Sequence, residues 1–401
     1  MRNVTGHFTA STLASIKCGA FNQSPVRGLT HCFYKYPARF SPSFVASAIE
    51  AFSAPGDTIL DPYMGGGTTI VEAISRGRHA IGCDLNSLAV FVAKAKTTNL
   101  ADHDIQQVMR WAERDIPKLS YHTVTDEVAN LVCPQRTRNL NLPRARPVKK
   151  LIALAILSLK TLSSSPAQDF ARCVLLNVAQ WALNNRKVAP TLVSVRRKIS
   201  ATTVQMLGGI SDLARISSEF EASNHEPILI HGTATDLPLY APFINGHKAN
   251  LVVTSPPYPG IHILYHRWQV DGRKETPAPY WIANCYDGKS SAFYNFADRK
   301  ADAIDDYFDE SLRTLRSIRS VMVDGGVIAQ LIAFSKPRSQ LRKYLQNMKL
   351  AGFTEVREID DGITSTQFRR IWRPVPSRAW YANLKGDTHS SREVVLLHRA
   401  N

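Results

Sequence analysis

The sequence is poor in cysteine and has no long apolar segment. Its 401 residues include six cysteines, scattered singly, and none pairs with another cysteine or a histidine at zinc-site spacing. We therefore expect reduced thiols, without a disulfide framework or a metal centre. The longest apolar run, residues 151–157, is far shorter than the roughly 20 residues of a membrane span, and residues 1–20 lack the apolar core of a secretory signal. These absences predict a soluble cytoplasmic protein with no membrane partner.

Basic residues are in clear excess over acidic ones. Lysine and arginine number 49 against 33 aspartates and glutamates, which gives a formal net charge of +16. A surplus of this size attracts polyanions, so nucleic acid is the leading partner class and an anionic membrane surface the second. Hydrophobic residues make up 44% of the chain, which excludes wholesale disorder and predicts a globular protein with a sizeable core.

A glycine-rich turn lies between a short strand and a helix. Residues 58–60 predict a buried strand, and residues 61–69 (Asp-Pro-Tyr-Met-Gly-Gly-Gly-Thr-Thr) form the turn. A helix is predicted at residues 70–76, followed by a second strand at 79–83 that ends at Asp84. Together they predict one nucleotide-binding βαβ unit, in which the start of the helix favours a polar or anionic ligand.

The details of this turn narrow the class of ligand. The dinucleotide fingerprint GxGxxG fails because Ile70 stands at the third glycine position, and a P-loop fails because Thr68 and Thr69 replace its Lys-Ser/Thr pair. Asp84, at the end of the next strand, stands where an acid accepts hydrogen bonds from ribose hydroxyls. An adenosine-containing ligand without a pyrophosphate therefore fits best.

Beyond residue 100 the pattern of predicted secondary structure changes twice. Residues 101–225 show helical periodicity without strand-like alternation, and the alternation of strands and helices resumes at residues 228–231. This order predicts one α/β domain, formed by residues 1–100 and 226–401, interrupted by a helical insertion at residues 101–225. The insertion is also a candidate DNA-recognition region.

A second turn, Ser255-Pro256-Pro257-Tyr258, follows a predicted strand at residues 251–253. Two consecutive prolines fix the backbone and remove two N–H donors, so the turn presents carbonyl acceptors in a stiff geometry. The exocyclic amine of a base would donate to the Ser255 hydroxyl oxygen and the Pro256 carbonyl, and Tyr258 would stack on the base. The base must leave the duplex for this, at a cost of a few kcal/mol.

Both turns resemble motifs of one known family. The glycine-rich turn resembles the S-adenosylmethionine-binding motif of the amino-group DNA methyltransferases, which modify cytosine N4 or adenine N6. The Ser-Pro-Pro-Tyr turn resembles their catalytic motif, and residues 36–40 resemble an upstream cofactor motif. The resemblance covers roughly residues 30–100 and 226–400. It implies a Rossmann-like α/β fold, a mostly parallel twisted sheet with helices on both faces, and S-adenosyl-L-methionine as cofactor.

The resemblance also implies two sets of site residues. The cofactor-binding set comprises Tyr36, Pro37, Phe40, Asp61, Pro62, Gly65, Gly67, Thr68, Thr69, Asp84 and Asp236. The catalytic set comprises Ser255, Pro256, Pro257 and Tyr258. In this family the methyl group is transferred directly, without a covalent intermediate. Catalysis would then depend on positioning and on acceptors that stabilise charge developing on nitrogen.

The first residue of the catalytic motif bears on the choice of base. In the family, serine there is usual for cytosine N4 and aspartate for adenine N6, so Ser255 favours cytosine N4. The expected function is site-specific N4-cytosine methylation of double-stranded DNA with base flipping, as the modification enzyme of a restriction–modification system with a cognate restriction endonuclease as partner. The alternative is an N6-adenine enzyme. An RNA amino-methyltransferase and a non-catalytic nucleic-acid-binding protein on the same fold are further alternatives.

Two basic regions are candidates for contact with the DNA backbone. The first is the loop at residues 133–150, which contains Arg144 and Arg146. The second combines the aromatic and basic stretch at residues 262–300 with a later group of arginines. Its candidate residues are His262, Arg267, Arg369, Arg370 and Arg373.

Overall fold

The computed structural model describes residues 8–22, 24, 26–36, 40–122, 126–132, 134–186, 188–220, 226–259, 268–272, 274–285, 304–360, 365–374 and 392–401. Within these residues the strands are β1 (Thr58–Asp61), β2 (His79–Asp84), β3 (Ile228–His231), β4 (Ala249–Thr254), β5 (Trp268–Val270), β6 (Lys274–Thr276), β7 (Met322–Ala333), β8 (Phe353–Glu355), β9 (Glu358–Asp360), β10 (Ser365–Gln367), β11 (Trp372–Pro374) and β12 (Arg392–Ala400).

The same residues form the helices α1 (Ala10–Phe21), α2 (Pro42–Phe52), α3 (Thr68–Ile74), α4 (Ser87–Thr97), α5 (Asp102–Arg110), α6 (Ile116–Lys118), α7 (Asp126–Leu131), α8 (Arg146–Ser158), α9 (Ser165–Leu183), α10 (Leu192–Ser217), α11 (Ala241–Ile244), α12 (Ala278–Ala283), α13 (Ile304–Ser320) and α14 (Pro337–Leu350). A π-helical segment, Trp111–Asp115, joins α5 to α6. None of these helices is long and apolar enough to cross a membrane.

Within the described residues the central sheet has eight strands, in the order β11-β12-β7-β4-β1-β2-β3, and β8 pairs with β12 beside this path. The five strands from β7 to β3 run parallel, whereas β12 is antiparallel to β7. This mostly parallel sheet confirms the fold class predicted from the sequence. The order of the strands reverses between β1 and β4, and that reversal creates the crevice in which ligands bind in open α/β sheets.

The short apolar strands are explained by burial on both faces of the sheet. Neighbouring residues of β1 point to opposite sides, so Ile59 packs with α2 and α3, and Leu60 with α13 and α14. Both side chains are fully buried. A parallel strand covered by helices on both faces reads as a continuous apolar run, which is the pattern that predicts such a strand from sequence.

Helices α5 to α10 lie in the chain between β2 and β3. Their buried residues share one core with α4 and α12, and Phe170 and Val174 of α9 are fully buried within it. The buried Trp111 indole donates to the Ser158 hydroxyl at 2.8 Å, which joins the π-helical segment to α8. This helical region therefore packs against the helix that directly follows β2.

Candidate active site

The glycine-rich turn and the Ser-Pro-Pro-Tyr turn flank the same crevice. β1 pairs in parallel with β2 on one side and with β4 on the other. The glycine-rich turn follows β1, and the Ser-Pro-Pro-Tyr turn follows β4. Because the carboxyl ends of parallel strands meet at one edge of the sheet, both turns border the crevice at the strand-order reversal.

A hydrogen bond joins the two turns. The hydroxyl of Thr254, the last residue of β4, donates to Asp61 Oδ1 at 2.7 Å. The same oxygen accepts the backbone N–H of Tyr63 at 3.1 Å. Burial raises the pKa of Asp61 to about 6, and these hydrogen bonds act in the opposite direction. Asp61 therefore sets the position of one turn relative to the other.

Glycine is required at two positions in the turn after β1. Gly65 and Gly67 have φ angles of 47° and 73°, in the left-handed region that side chains disfavour. Gly66, between them, lies against Tyr36, and an added Cβ would be 3.0 Å from the Tyr36 Cβ. On another side, the buried Lys96 ammonium donates to the Gly66 carbonyl. Neighbouring side chains thus hold the turn in one conformation.

Asp84 ties the end of β2 to the glycine-rich turn. Its two carboxylate oxygens accept the backbone N–H groups of Gly65 and Asn86, each at 2.8 Å. Burial raises the pKa of Asp84 to about 6. The Asn86 side chain donates to the Tyr36 hydroxyl at 3.0 Å and accepts from the Tyr280 hydroxyl at 2.9 Å. This network anchors Tyr36 against the turn.

Most of the cofactor-binding residues predicted from the sequence lie in or against this turn. Phe40 is half-buried and its ring packs on Phe44, with centroids 5.6 Å apart. Asp236 is exposed in a 3-10 helix, Ala234–Leu239, beyond β3. Pro37 lies outside the described residues. Those at the turn are Tyr36, Asp61, Pro62, Gly65, Gly67, Thr68, Thr69 and Asp84.

The donors and acceptors at this edge fit an adenosine-containing ligand. Each carboxylate oxygen has two lone pairs, so Asp84 can accept ribose hydroxyls in addition to the two backbone N–H groups. The N-terminus of α3 presents backbone N–H groups beside the turn. The exposed carboxylate of Asp236 can accept from an amino group.

Tyrosine hydroxyls hold the Ser-Pro-Pro-Tyr turn. The Tyr307 hydroxyl donates to the Pro257 carbonyl at 2.7 Å. Ser255 Oγ lies 2.9 Å from the hydroxyl oxygen of Tyr258. The Tyr258 hydroxyl donates to Glu393 Oε1 at 2.8 Å. Ser255 is half-buried, so its side chain is partly accessible.

Arg373 forms part of this support instead of a DNA-contacting surface. The sequence grouped it with Arg369 and Arg370, but its guanidinium donates twice to Glu393 Oε2, at 3.0 and 2.8 Å, and once to the Ala20 carbonyl at 2.9 Å. Its side chain is only 11% exposed. The two neighbouring strands β11 and β12 bring Arg373 opposite Glu393, a pairing that the sequence does not reveal.

The other basic candidates differ in their surroundings. Arg144 is exposed and lies 3.5 Å from an Asp271 carboxylate oxygen, and Arg146 is exposed at the start of α8. Arg369 is exposed as well. Arg370 donates to both carboxylate oxygens of Glu355, at 2.6 and 2.7 Å. His262 and Arg267 lie outside the described residues.

Sequence reasoning did not identify several residues that shape the site. Each has a hydrogen-bond partner that is remote in the chain, and none carries a local motif. Hydrogen bonds to the site exist only once the sheet and the helices have assembled. These residues are Asn86, Lys96, Tyr280, Tyr307 and Glu393.

The N-terminal part of the chain matches a known protein family. Residues 19–95 match the N6/N4 family described as DNA methylase. The matched segment contains the glycine-rich turn and Asp84. The Ser-Pro-Pro-Tyr turn lies outside it.

Individual relatives show similarity over parts of their length. The chain is 30% identical over 116 residues to Type II methyltransferase M.MvaI of Kocuria varians, covering 28% of this chain and 26% of that protein. It is 24% identical over 257 residues to Type II methyltransferase M.BsoBI of Geobacillus stearothermophilus, covering 57% and 49%. It is 28% identical over 103 residues to DNA adenine methyltransferase YhdJ of Escherichia coli, covering 26% and 35%. The chain thus spans about half the length of these relatives or less.

Proposed function

This chain is related to the amino-group DNA methyltransferases, and on that premise we propose that it transfers a methyl group from S-adenosylmethionine to an exocyclic amine of a base in double-stranded DNA. The observation that carries the proposal is the hydrogen bond from Thr254 to Asp61. It holds a turn suited to the cofactor and a turn suited to the amine at one crevice.

S-adenosylmethionine fits the edge formed by β1, β2 and β3. Asp84 would accept the ribose hydroxyls, and Asp236 would accept the adenine amino group. Tyr36 and Phe40 would lie near the methionine moiety. When bound, the cofactor supplies an electrophilic methyl group. Asp84 and Asp61 would also supply negative charge that attracts a cationic sulfonium, and this attraction would offset part of the cost of burying them as carboxylates.

The Ser-Pro-Pro-Tyr turn would orient the amine. Ser255 Oγ and the Pro256 carbonyl each accept one amine hydrogen, which turns the nitrogen lone pair toward the methyl group. The same acceptors stabilise the positive charge that develops on nitrogen during the transfer. Tyr307 holds the Pro257 carbonyl, so the backbone of the turn is already fixed before the base arrives.

The Tyr258 ring would stack on the flipped base. Stacking of a base on an aromatic ring contributes about 1–3 kcal/mol, which offsets much of the cost of a few kcal/mol for extruding the base. Because the Tyr258 hydroxyl is bound by Glu393, the ring is held in place before it meets the base. Preorganisation of this kind lowers the entropy cost of forming the reactive complex.

Cytosine N4 is the proposed target, because Ser255 occupies the first position of the catalytic motif. Adenine N6 is the second candidate, and it is favoured by the similarity to a protein named as a DNA adenine methyltransferase. Both reactions use the same acceptors, so the pocket around Tyr258 would select the base.

DNA would be held by the helical insertion, residues 101–225, and by surfaces around the crevice. Arg144, Arg146 and Arg369 are exposed and can reach phosphates, whereas Arg370 would have to compete with its Glu355 partner. His262 and Arg267 stay predictions for the same surface. A role as the modification enzyme of a restriction–modification system, with a cognate endonuclease, completes the proposal.

One experiment tests the chemistry directly. The protein is incubated with S-adenosylmethionine carrying a labelled methyl group and with unmodified DNA or RNA, and the polymers are digested to nucleosides for mass analysis. We expect N4-methyldeoxycytidine from DNA. N6-methyldeoxyadenosine would establish the second candidate, and label in RNA alone would change the substrate class. Absence of methylated nucleosides from both polymers would refute the proposal.

A further inference from the structure

A chain of hydrogen bonds runs from Ser255 to a buried ion pair. Ser255 Oγ lies 2.9 Å from the Tyr258 hydroxyl, which in turn donates to Glu393 Oε1 at 2.8 Å. The other oxygen of Glu393 accepts Nε and Nη2 of Arg373. The side chains of Arg373 and Glu393 are 11% and 8% exposed. They lie directly opposite each other on β11 and β12, so the register of the sheet places the pair.

The direction of each bond follows from the number of protons available. The Glu393 carboxylate accepts two N–H groups of Arg373 and, as a carboxylate, has no proton to donate to Tyr258. Tyr258 has a single hydroxyl proton and donates it to Glu393. Its oxygen can therefore only accept from Ser255. Ser255 then donates its own single proton to Tyr258, and the lone pairs of Ser255 Oγ are left to accept from another group.

We propose that Glu393 and Arg373 are positioning residues that make Ser255 an obligate hydrogen-bond acceptor for the amine of the target base. The inference rests on the proposed function and deepens it. A serine hydroxyl can donate or accept, whereas an amine must find an acceptor. A carboxylate in place of Ser255 would accept without assistance. The buried ion pair, acting through Tyr258, likewise leaves the neutral Ser255 hydroxyl able only to accept from the amine.

Two substitutions act on this chain of hydrogen bonds in different ways. Tyr258→Phe removes the middle hydroxyl and keeps the ring, so the Ser255 hydroxyl is free to rotate. In Glu393→Gln the amide oxygen is drawn to the N–H groups of Arg373, which turns the amide NH2 toward Tyr258. Tyr258 then accepts from the amide and donates to Ser255. The Ser255 proton is displaced toward the amine, so the direction of donation along the hydrogen bonds is reversed.

Reversing the direction of the hydrogen bonds should lower kcat more than removing the Tyr258 hydroxyl does. Removing that hydroxyl should also cancel the effect of the reversal. We expect kcat to fall about tenfold in Tyr258→Phe, as for loss of one oriented hydrogen bond, and about a hundredfold in Glu393→Gln. The double variant should return to about the level of Tyr258→Phe, because the amide can no longer act through the missing hydroxyl. The KM for S-adenosylmethionine should stay unchanged in all three.

The assay measures transfer of tritiated methyl groups from S-adenosylmethionine to unmethylated bacterial genomic DNA. A double variant in which the two losses multiply, or a Glu393→Gln loss no greater than that of Tyr258→Phe, would overturn the inference while the proposed function stands. No transfer by the unaltered protein would overturn the proposed function, and the inference with it.

A matched control separates orientation from stability. Glu72 is also buried and also pairs with a cation, since it accepts from Arg76 Nη1 at 2.5 Å, and its Oε1 lies 2.6 Å from His31 Nε2. Both of these partners lie outside the Ser-Pro-Pro-Tyr turn. Glu72→Gln should lower the unfolding temperature and leave kcat within about twofold of the unaltered protein. If Glu393→Gln does not fold, Tyr258→Phe decides alone. A tenfold loss of kcat at constant KM supports the inference, and an unchanged kcat overturns it.

Discussion

The Thr254→Val variant should be less stable than the unaltered protein, and the difference should grow with pH. Valine has nearly the shape of threonine, so the change removes a hydroxyl from a fully buried position with little change in packing. The lost donor lies 2.7 Å from Asp61 Oδ1. A hydrogen bond to a charged group contributes about 1.5–3 kcal/mol, and one between neutral groups about 0.5–1.5 kcal/mol.

The pH dependence follows from the raised pKa of Asp61. Burial raises that pKa to about 6 from an ordinary value of 3.8, and the Thr254 hydrogen bond limits the rise. A group whose pKa is higher in the folded state than in the unfolded state contributes stability that is fully present below its pKa in the unfolded state. That stability is lost as the pH rises through its pKa in the folded state. Without Thr254 the folded pKa is higher still, so more stability is lost. The expected difference in unfolding free energy is about 1 kcal/mol at pH 5 and about 2–3 kcal/mol at pH 8.

Urea unfolding at pH 5 and pH 8, followed by circular dichroism, measures this difference. Thr203→Val is a matched control, since Thr203 is fully buried and its hydroxyl donates to the Ile199 carbonyl at 3.0 Å. That partner does not titrate, so the control should lose the same stability at both pH values. An effect of Thr254→Val that is equal at the two pH values, or larger at pH 5, would refute the assignment of Asp61 as the ionised partner.

Three further predictions concern ligand binding and catalysis. Ser255→Ala should lower kcat about a hundredfold and leave the affinity for S-adenosylmethionine unchanged in calorimetry; full turnover would remove Ser255 from the reaction. Asp84→Ala should weaken S-adenosylmethionine binding at least tenfold, and equal affinity would exclude Asp84 from contact with the ribose. Replacing Arg144 and Arg146 by glutamate should flatten the dependence of log DNA affinity on log salt by about 2. An unaltered slope would place the DNA surface elsewhere.

The strand–turn–helix unit was predictable because its signals are adjacent in the chain. Gly67 adopts a left-handed conformation at the start of α3, and a run of glycines beside a buried strand predicts such a turn. β3 was predicted at residues 228–231 and is found at Ile228–His231. The helix after the turn starts at Thr68, two residues earlier than predicted, and the polar side chains of Thr68 and Thr69 are buried.

Helix α4 was not predicted, and its surroundings explain why. It lies between the sheet and the helical region, so residues on several of its sides are buried, including Leu88, Phe91 and Val92. A helix covered on several sides lacks the clean amphipathic period by which a surface helix is detected. Lys96 is also buried in this helix because its ammonium binds the Gly66 carbonyl, a partner that only the folded chain provides.

The sequence by itself determined the two turns, their placement after strands and the excess of positive charge, because each depends on residue types or on neighbours in the chain. Only the tertiary structure decided which groups the turns contact. Tyr258 and Glu393 are 135 residues apart, and their hydrogen bond exists only when β12 joins the sheet. Arg369 and Arg370 are adjacent and chemically identical, yet one is exposed and the other is bound to Glu355. The role of a charged side chain depends on its partner in the folded structure, and the separation of two residues along the sequence does not reveal that partner.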